Sequence, residues 1–118
     1  TAPDKIKSVF DRVERLAIVG HTHVPGVFTD EPDFYSPGEL GRSIYTVSKD
    51  EKAVVNVGSV GQPRDHDPRA SYVIMQDEGE DLSLEFFRVE YDVAKTAEKI
   101  KSIGQLADWL GDRLYEGR

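Results

Sequence analysis

Two of the three histidines stand together as His21-Thr22-His23, directly after the apolar run Leu16-Ala17-Ile18-Val19 and Gly20. A neutral imidazole offers a nitrogen lone pair, so two closely spaced rings are natural ligands for a divalent metal ion. On an extended backbone, residues i and i+2 project to the same side. The spacing therefore predicts both rings on one side of a sheet edge, with Thr22 turned away. Gly20 gives the backbone room to turn, and Pro25 stops the strand from continuing. The same residues could instead hydrogen-bond loop carbonyls. A structural zinc takes about four protein ligands and a catalytic one about three. The chain has no cysteine, so the rest of a metal shell would come from carboxylates, from Asn, from His66 or from polypeptide outside this chain.

A second polar segment follows another short apolar run, Ala53–Val57. It reads Asn56-Val57-Gly58-Ser59-Val60-Gly61-Gln62-Pro63-Arg64-Asp65-His66-Asp67-Pro68-Arg69. Its glycines allow close backbone approach to a ligand. Asn56, Ser59, Gln62 and Arg64 carry donors suited to a phosphate group or to orienting other side chains. For Arg64, a phosphate contact and a pairing with Asp65 or Asp67 are both open. Arg69, in Asp67-Pro68-Arg69, reads as turn chemistry. His66, flanked by two aspartates, reads as an exposed, charge-stabilised imidazole rather than a ligand.

The elements that hold these loops follow from periodicity. Ile6, Val9, Phe10 and Val13 form an apolar stripe that predicts a helix over residues 3–15, with Pro3 and Asp4 suited to its first turn. Leu16–Val19 predicts a buried strand, and its carboxyl end is where ligands commonly sit in open α/β sheets. Residues 29–42, rich in Asp, Glu, Pro and Gly, predict a surface loop. Ser43–Ser48 and Ala53–Val57 predict strands joined as a hairpin through Lys49-Asp50-Glu51-Lys52, and Ala70–Gln76 and Leu82–Tyr91 a second hairpin with an acidic tip. Residues 82–91 are apolar on both faces, which predicts cover on both sides and hence a sandwich. Asp92 is an expected N-cap for a helix carrying Val93, Ala97, Ile100 and Ile103, ended by Gly104. A last short helix would face the core with Leu106, Trp109, Leu110 and Leu114.

The 118 residues fit one domain at most, with 15 basic against 22 acidic residues for a net charge of −7 and 38% hydrophobic content. That content is enough for collapse but thin for the length. No apolar run is long enough to cross a bilayer, and Thr1–Lys5 has no signal-peptide character. The absence of cysteine excludes a disulfide scaffold and a thiolate site, and fits a cytoplasmic protein. The acidity argues against general nucleic-acid binding. It leaves an anionic substrate open where metal ions supply positive charge.

Taken together, Gly20-His21-Thr22-His23 resembles the last metal-binding motif of the calcineurin-like metallophosphoesterases. Asn56 through Asp65 resembles the loop that follows it in the small bacterial and archaeal phosphoesterase branch. The resemblance covers essentially the whole chain, with the trailing hairpin and two-helix tail in the same order. It implies a mixed α/β (α+β) fold, part of a four-layer α/β/β/α sandwich of two facing sheets flanked by helices. It also implies two divalent ions (Mn, Zn, Fe or Ni) that promote in-line attack of water on a small phosphoester. Residue by residue, His21 resembles a ligand of one metal and His23 a ligand of the other. Asn56, Ser59, Gln62 and Arg64 resemble the wall of the substrate cleft.

The departures are large. The family's Asp-x-His, Gly-Asp-x-x-Asp and Gly-Asn-His segments are absent, along with a further metal-binding histidine. Val57 replaces a frequent Pro, and His66 stands where Gly is common. Residues 1–118 are therefore expected to be the carboxyl-terminal portion of one metallophosphoesterase domain. The amino-terminal half would be supplied in cis or in trans, the isolated chain would be inactive, and no individual catalytic residue is assigned. The competing expectations are a non-catalytic scaffold that kept the sheet, and one half of a split enzyme.

Overall fold

A computed structural model describes residues 2–118. Helix α1 spans Ala2–Phe10, and strands β1 (Leu16–Val19), β2 (Gly26–Thr29) and β3 (Phe34–Tyr35) follow. Two short 3-10 turns, Pro37–Glu39 and Gly41–Ser43, lead into β4 (Ile44–Val47) and β5 (Ala53–Asn56). The chain ends with β6 (Ala70–Asp77), β7 (Leu82–Val89), α2 (Val93–Ser102) and α3 (Trp109–Glu116).

The strands form two sheets, one ordered β1-β5-β2-β3 and the other β4-β7-β6. This is the expected mixed α+β architecture. Between the sheets lie Val27, Val47, Ala53, Val55, Leu84 and Phe86, all buried. Phe10 and Val13 pack with Val54 to seat α1 on the first sheet.

Several local expectations are corrected. The helix expected to residue 15 ends at Phe10. Beyond it the amides of Arg12 and Val13 bond three residues back, to Val9 and Phe10, a tightening into 3-10 geometry that still buries Val13. The segment read as surface loop over 29–42 contains a strand pair, since β2 and β3 are antiparallel across Val27↔Tyr35 and Phe28↔Phe34. Asp30, Glu31, Pro32 and Asp33 masked it by supplying only the turn.

The expected β4–β5 hairpin does not form. β4 pairs with β7, whereas β5 pairs with β1 and β2. Residues 48–52 arch from one sheet to the other, so Val47 and Ala53 enter the core from opposite layers, both fully buried. A hairpin would have placed both on one layer.

The second hairpin forms as expected, with Ala70↔Val89 through Asp77↔Leu82 in register. One face of β7 is buried through Leu84 and Phe86. On the other, Phe87 is half-buried against the stacked ring of Tyr72 (4.9 Å), and Val89 is exposed, so that face is less covered than expected. Asp92 caps α2 by accepting the Lys95 amide at 3.1 Å. In the tail, Ala97 and Leu114 are buried, but Ile103, Leu106 and Trp109 are exposed, contrary to expectation. Gly111 lets the two helices close, because a β-carbon there would lie 2.9 Å from the Ala97 carbonyl oxygen.

Candidate active-site loops

β1 and β5 run parallel and side by side, with Val19 opposite Asn56. Their carboxyl ends therefore release the His-Thr-His loop and the Asn56–Arg64 loop at the same place. Local pairing of a hairpin kind would not do this: the 33 residues between the two strands carry β2, β3 and β4. The expectation that β1 is buried is corrected, since Ile18 is 60% exposed and Val19 42%.

The two loops are stitched together. The Val57 amide donates to the Val19 carbonyl at 3.1 Å, and the Arg64 amide donates to the His23 carbonyl at 3.1 Å. Asn56 is 3% exposed. Its amide nitrogen donates to Thr22 Oγ1 at 2.8 Å, and its side-chain oxygen accepts the Gly58 amide at 2.9 Å. Ser59 Oγ accepts the Gln62 amide at 2.9 Å. Asn56 and Ser59 thus act on the loop itself, and for the buried Asn56 these partners are required unless a ligand replaces them.

The histidine geometry differs from the extended arrangement expected. The His23 amide donates to the Gly20 carbonyl at 3.1 Å, closing a turn over residues 20–23, and His23 has φ of +60°. The i, i+2 same-side rule therefore does not apply here. Thr22 is held by Asn56 rather than turned away. His23 is half-buried and His21 exposed.

His23 Nδ1 lies 2.9 Å from the Gln62 carbonyl oxygen. A carbonyl only accepts, so Nδ1 carries a proton, and in the neutral ring Nε2 keeps its lone pair. That is the arrangement in which a histidine is oriented to bind metal through the other nitrogen. The donor set therefore suits a divalent ion at His23. It is incomplete by itself: among the described residues no group of three His, Asp or Glu side chains is placed to hold a metal ion.

Gln62 contributes its backbone to His23, and its side-chain oxygen is 3.5 Å from Arg64 Nη2. Arg64 is exposed and forms no ion pair among the described residues. Its pairing with Asp65 or Asp67, one of the two open readings, does not occur. Asp65 instead binds Arg88, whose guanidinium is 14% exposed and also lies 3.7 Å from Asp67. Arg69 is held by Asp67 as expected, with its amide donating to Oδ1 at 3.0 Å and Nη2 to Oδ2 at 2.8 Å. His66 has φ of +65°, the left-handed conformation glycine favours, and its amide donates to the Gly117 carbonyl at 2.8 Å.

Sequence reasoning missed three residues. Thr22 received no role, although it receives the Asn56 bond. Ser71, 3% exposed, donates its hydroxyl to the Val57 carbonyl and its amide to Ser59, pinning the loop to β6. Its inward position in the period-two pattern of β6 was the available signal. Arg88 locks Asp65 and Asp67 from a distant strand, and nothing local in the sequence marks it.

The Arg69 hydrogen bond, helped by the nearby Arg88 charge, holds the Asp67 carboxyl below its ordinary range. A depressed folded-state value stabilises the fold above the unfolded pKa of about 3.9 and loses that contribution as pH falls below it. Urea unfolding at pH 5 and pH 3 is therefore expected to show Asp67→Asn less stable than wild type at pH 5, with the gap narrowing at pH 3. An equal gap at both values would remove Asp67 from the acid response.

A polar cleft of about 360 Å³ lined by Asp30, Glu31, Tyr35, Tyr45 and Glu51 lies across the sandwich from these loops. Tyr45 there donates to Glu51 at 2.5 Å, and burial together with that carboxylate raises its pKa. The phenol is thus bonded within the fold rather than offered to the cleft.

Compared with known proteins, the chain is 40% identical over 116 residues to the uncharacterized protein MJ0912 of Methanocaldococcus jannaschii, covering 98% of this chain and 44% of that one. It is also similar in structure to a metallophosphoesterase from Sphaerobacter thermophilus, with a TM-score of 0.73 and 35% identity, over 87% of this chain and 42% of the other. The chain thus spans less than half the length of either. No family model matches it.

Proposed function

We propose, on the premise that this chain is a relative of the metallophosphoesterases, that it forms the carboxyl-terminal portion of a phosphoester hydrolase domain. The observation that carries the reading is His23. Its Nδ1 is committed to the Gln62 carbonyl, its Nε2 is left for metal, and it sits on a loop bonded to the Asn56–Arg64 segment. His21, on the same turn, is the second proposed metal ligand, and further ligands would come from polypeptide beyond this chain.

A pair of divalent ions bound there would polarise a phosphoester and supply a nucleophile at neutral pH. Within this chain, His23 is oriented by Gln62, and Asn56 and Ser59 fix the loop proposed as the wall of the substrate cleft. Gln62 and Arg64 present donors at its rim, and the Arg64 guanidinium, exposed and without an ion pair among the described residues, is the group proposed to meet a phosphate oxygen. The proposed substrate is a small phosphomonoester or phosphodiester, and manganese is the first ion to test. No helix among the described residues is long and apolar enough to cross a membrane, and the cysteine-free composition suits the cytoplasm.

The test uses the longer protein that contains this chain, assayed with Mn²⁺ on generic phosphomonoester and phosphodiester substrates. Metal-dependent turnover by that protein, with none by the 118 residues alone, is expected. An inactive protein that stays metal-free at saturating Mn²⁺ would instead favour a non-catalytic scaffold. That reading draws on the incomplete ligand set among the described residues.

A further inference from the structure

A cavity of about 380 Å³ adjoins the candidate loops, and none of the proposed site residues lines it. Val24 and Asp65 are both in its wall. They directly follow His23 and Arg64, which are joined carbonyl to amide at 3.1 Å. The cavity therefore begins one residue from a proposed metal ligand and one residue from the proposed phosphate contact. The 3-10 turns contribute another part of the wall, through Pro37, Gly38 and Ser43 among others.

Four charged residues line this space: Asp65, Asp67, Arg69 and Arg88. Their formal charges cancel, and they are paired with one another. Arg88 binds Asp65 and lies 3.7 Å from Asp67, while Arg69 binds Asp67. A second anionic group would meet only guanidinium groups that already hold a carboxylate. A cation would meet two guanidinium groups beside those same carboxylates. One acceptor is left over, because Asp65 Oδ1 is buried and has no hydrogen-bond partner among the described residues. A buried carboxylate oxygen of this kind is normally satisfied by an O–H or N–H donor. A hydroxyl suits the mixed charges best, since the same group can donate to Asp65 and accept from a guanidinium N–H. Val24, Pro25 and Pro37 add apolar surface for a carbon body.

Backbone strain gathers around the same space. Among the described residues, four non-glycine residues have positive φ: His23 (+60°), Arg42 (+57°), Ser43 (+56°) and His66 (+65°). Ser43 lines the cavity, and each of the other three adjoins a lining residue in the chain. Strain of this kind persists only where the surroundings over-determine it, and it collects at ligand clamps. Here Arg88 donates to the Arg69 carbonyl at 3.1 Å, and the His66 amide donates to the Gly117 carbonyl at 2.8 Å. These bonds hold the charged wall in place ahead of any ligand.

We infer that this cavity is the subsite for the alcohol portion of the phosphoester, and that it takes an uncharged, hydroxylated group (a sugar or polyol) with Asp65 as the acceptor. Its role as a leaving-group subsite rests on the hydrolase reading, whereas its capacity to bind the hydroxylated group does not.

The test uses the longer protein proposed to contain this chain, with Mn²⁺, on ribose 5-phosphate and on p-nitrophenyl phosphate, whose aromatic leaving group carries no hydroxyl to donate. Gly38→Phe places a large side chain on the cavity wall. Nothing lies within 4 Å of its β-carbon position and its φ is not positive, so the fold is expected to tolerate it. In this variant the ratio of kcat/KM for ribose 5-phosphate to that for p-nitrophenyl phosphate is expected to fall by about 10-fold or more, mainly through KM. Asp65→Asn is expected to lower the same ratio. It also weakens the Arg88 ion pair, so Gly38→Phe decides the matter if the Asp65 variant does not fold.

An unchanged ratio in Gly38→Phe would overturn the subsite. So would a wild-type protein that hydrolyses p-nitrophenyl phosphate but not ribose 5-phosphate, and either result would leave the hydrolase reading standing. Turnover of neither substrate would count against the hydrolase reading, and the cavity is then read by saturation-transfer NMR with free ribose on the metal-free protein. Transfer to ribose from wild type, lost in Gly38→Phe, is expected. No transfer from wild type, or equal transfer from both, would overturn the inference.

Discussion

Replacing Gly58 by alanine is expected to destabilise the fold by about 2–5 kcal/mol. Gly58 has φ of +78°, and a β-carbon there would lie 2.7 Å from Ser71 Oγ, 2.9 Å from Ser71 Cβ and 3.2 Å from Pro25 Cβ. The left-handed backbone costs an L-residue roughly 1–2 kcal/mol, and forced overpacking adds typically about 1–3 kcal/mol. Relief by movement is limited. Ser71 is buried and bonded at both its amide and its hydroxyl, Pro25 is fully buried, and the Gly58 amide is held by Asn56. A shift of Gly58 would therefore pull on both loops.

Gly61 is the internal control. It lies in the same loop, nothing stands within 4 Å of its β-carbon position, and its φ is not positive. Gly61→Ala is expected to be neutral or slightly stabilising. Thermal melts of the two variants decide the matter: equal transitions for Gly58→Ala and Gly61→Ala would show that the Gly58 turn is not pinned as described.

The second large effect concerns chemistry. If the proposed function holds, His23→Asn in the longer protein proposed to contain this chain is expected to lower kcat/KM with Mn²⁺ by more than about 100-fold, beyond what loss of an orienting partner alone costs at a metal site. Asparagine tolerates the left-handed backbone of His23, where φ is +60°, so the change removes the imidazole without forcing the turn. Stability should fall by only about 1 kcal/mol, the net worth of the bond to the Gln62 carbonyl. His66→Asn is the matched control, because His66 also has positive φ, is exposed, and contributes its backbone amide to Gly117. It should leave turnover unchanged. Equal activity in the His23 variant and wild type would withdraw His23 as a ligand.

These two residues show how far local pattern reaches. The His-Thr-His spacing identified the candidate chemistry, but the same-side rule failed because it assumes an extended strand. A hydrogen bond from the His23 amide to the Gly20 carbonyl bends the backbone there. Which ring nitrogen is available was also illegible, since it depends on a carbonyl 39 residues away. Likewise Arg69–Asp67 was readable as a two-residue turn, whereas Arg88–Asp65 joins a loop to a strand 23 residues on.

By itself, the sequence determined what depends on neighbours along the chain. It placed the β6–β7 hairpin, the Asp92 cap, the two glycine-containing loops after short apolar runs, and the residue types capable of binding metal and phosphate. Tertiary structure decided what depends on partners far apart in the chain. It put β4 and β5 in different sheets, set β1 beside β5, and thereby brought His23 and Gln62 within bonding distance. It also placed β1 and β6 at the ends of their sheets among the described residues. Periodicity reports which face of an element is apolar, and an isolated strand carries no signal for which other strand will satisfy its edge.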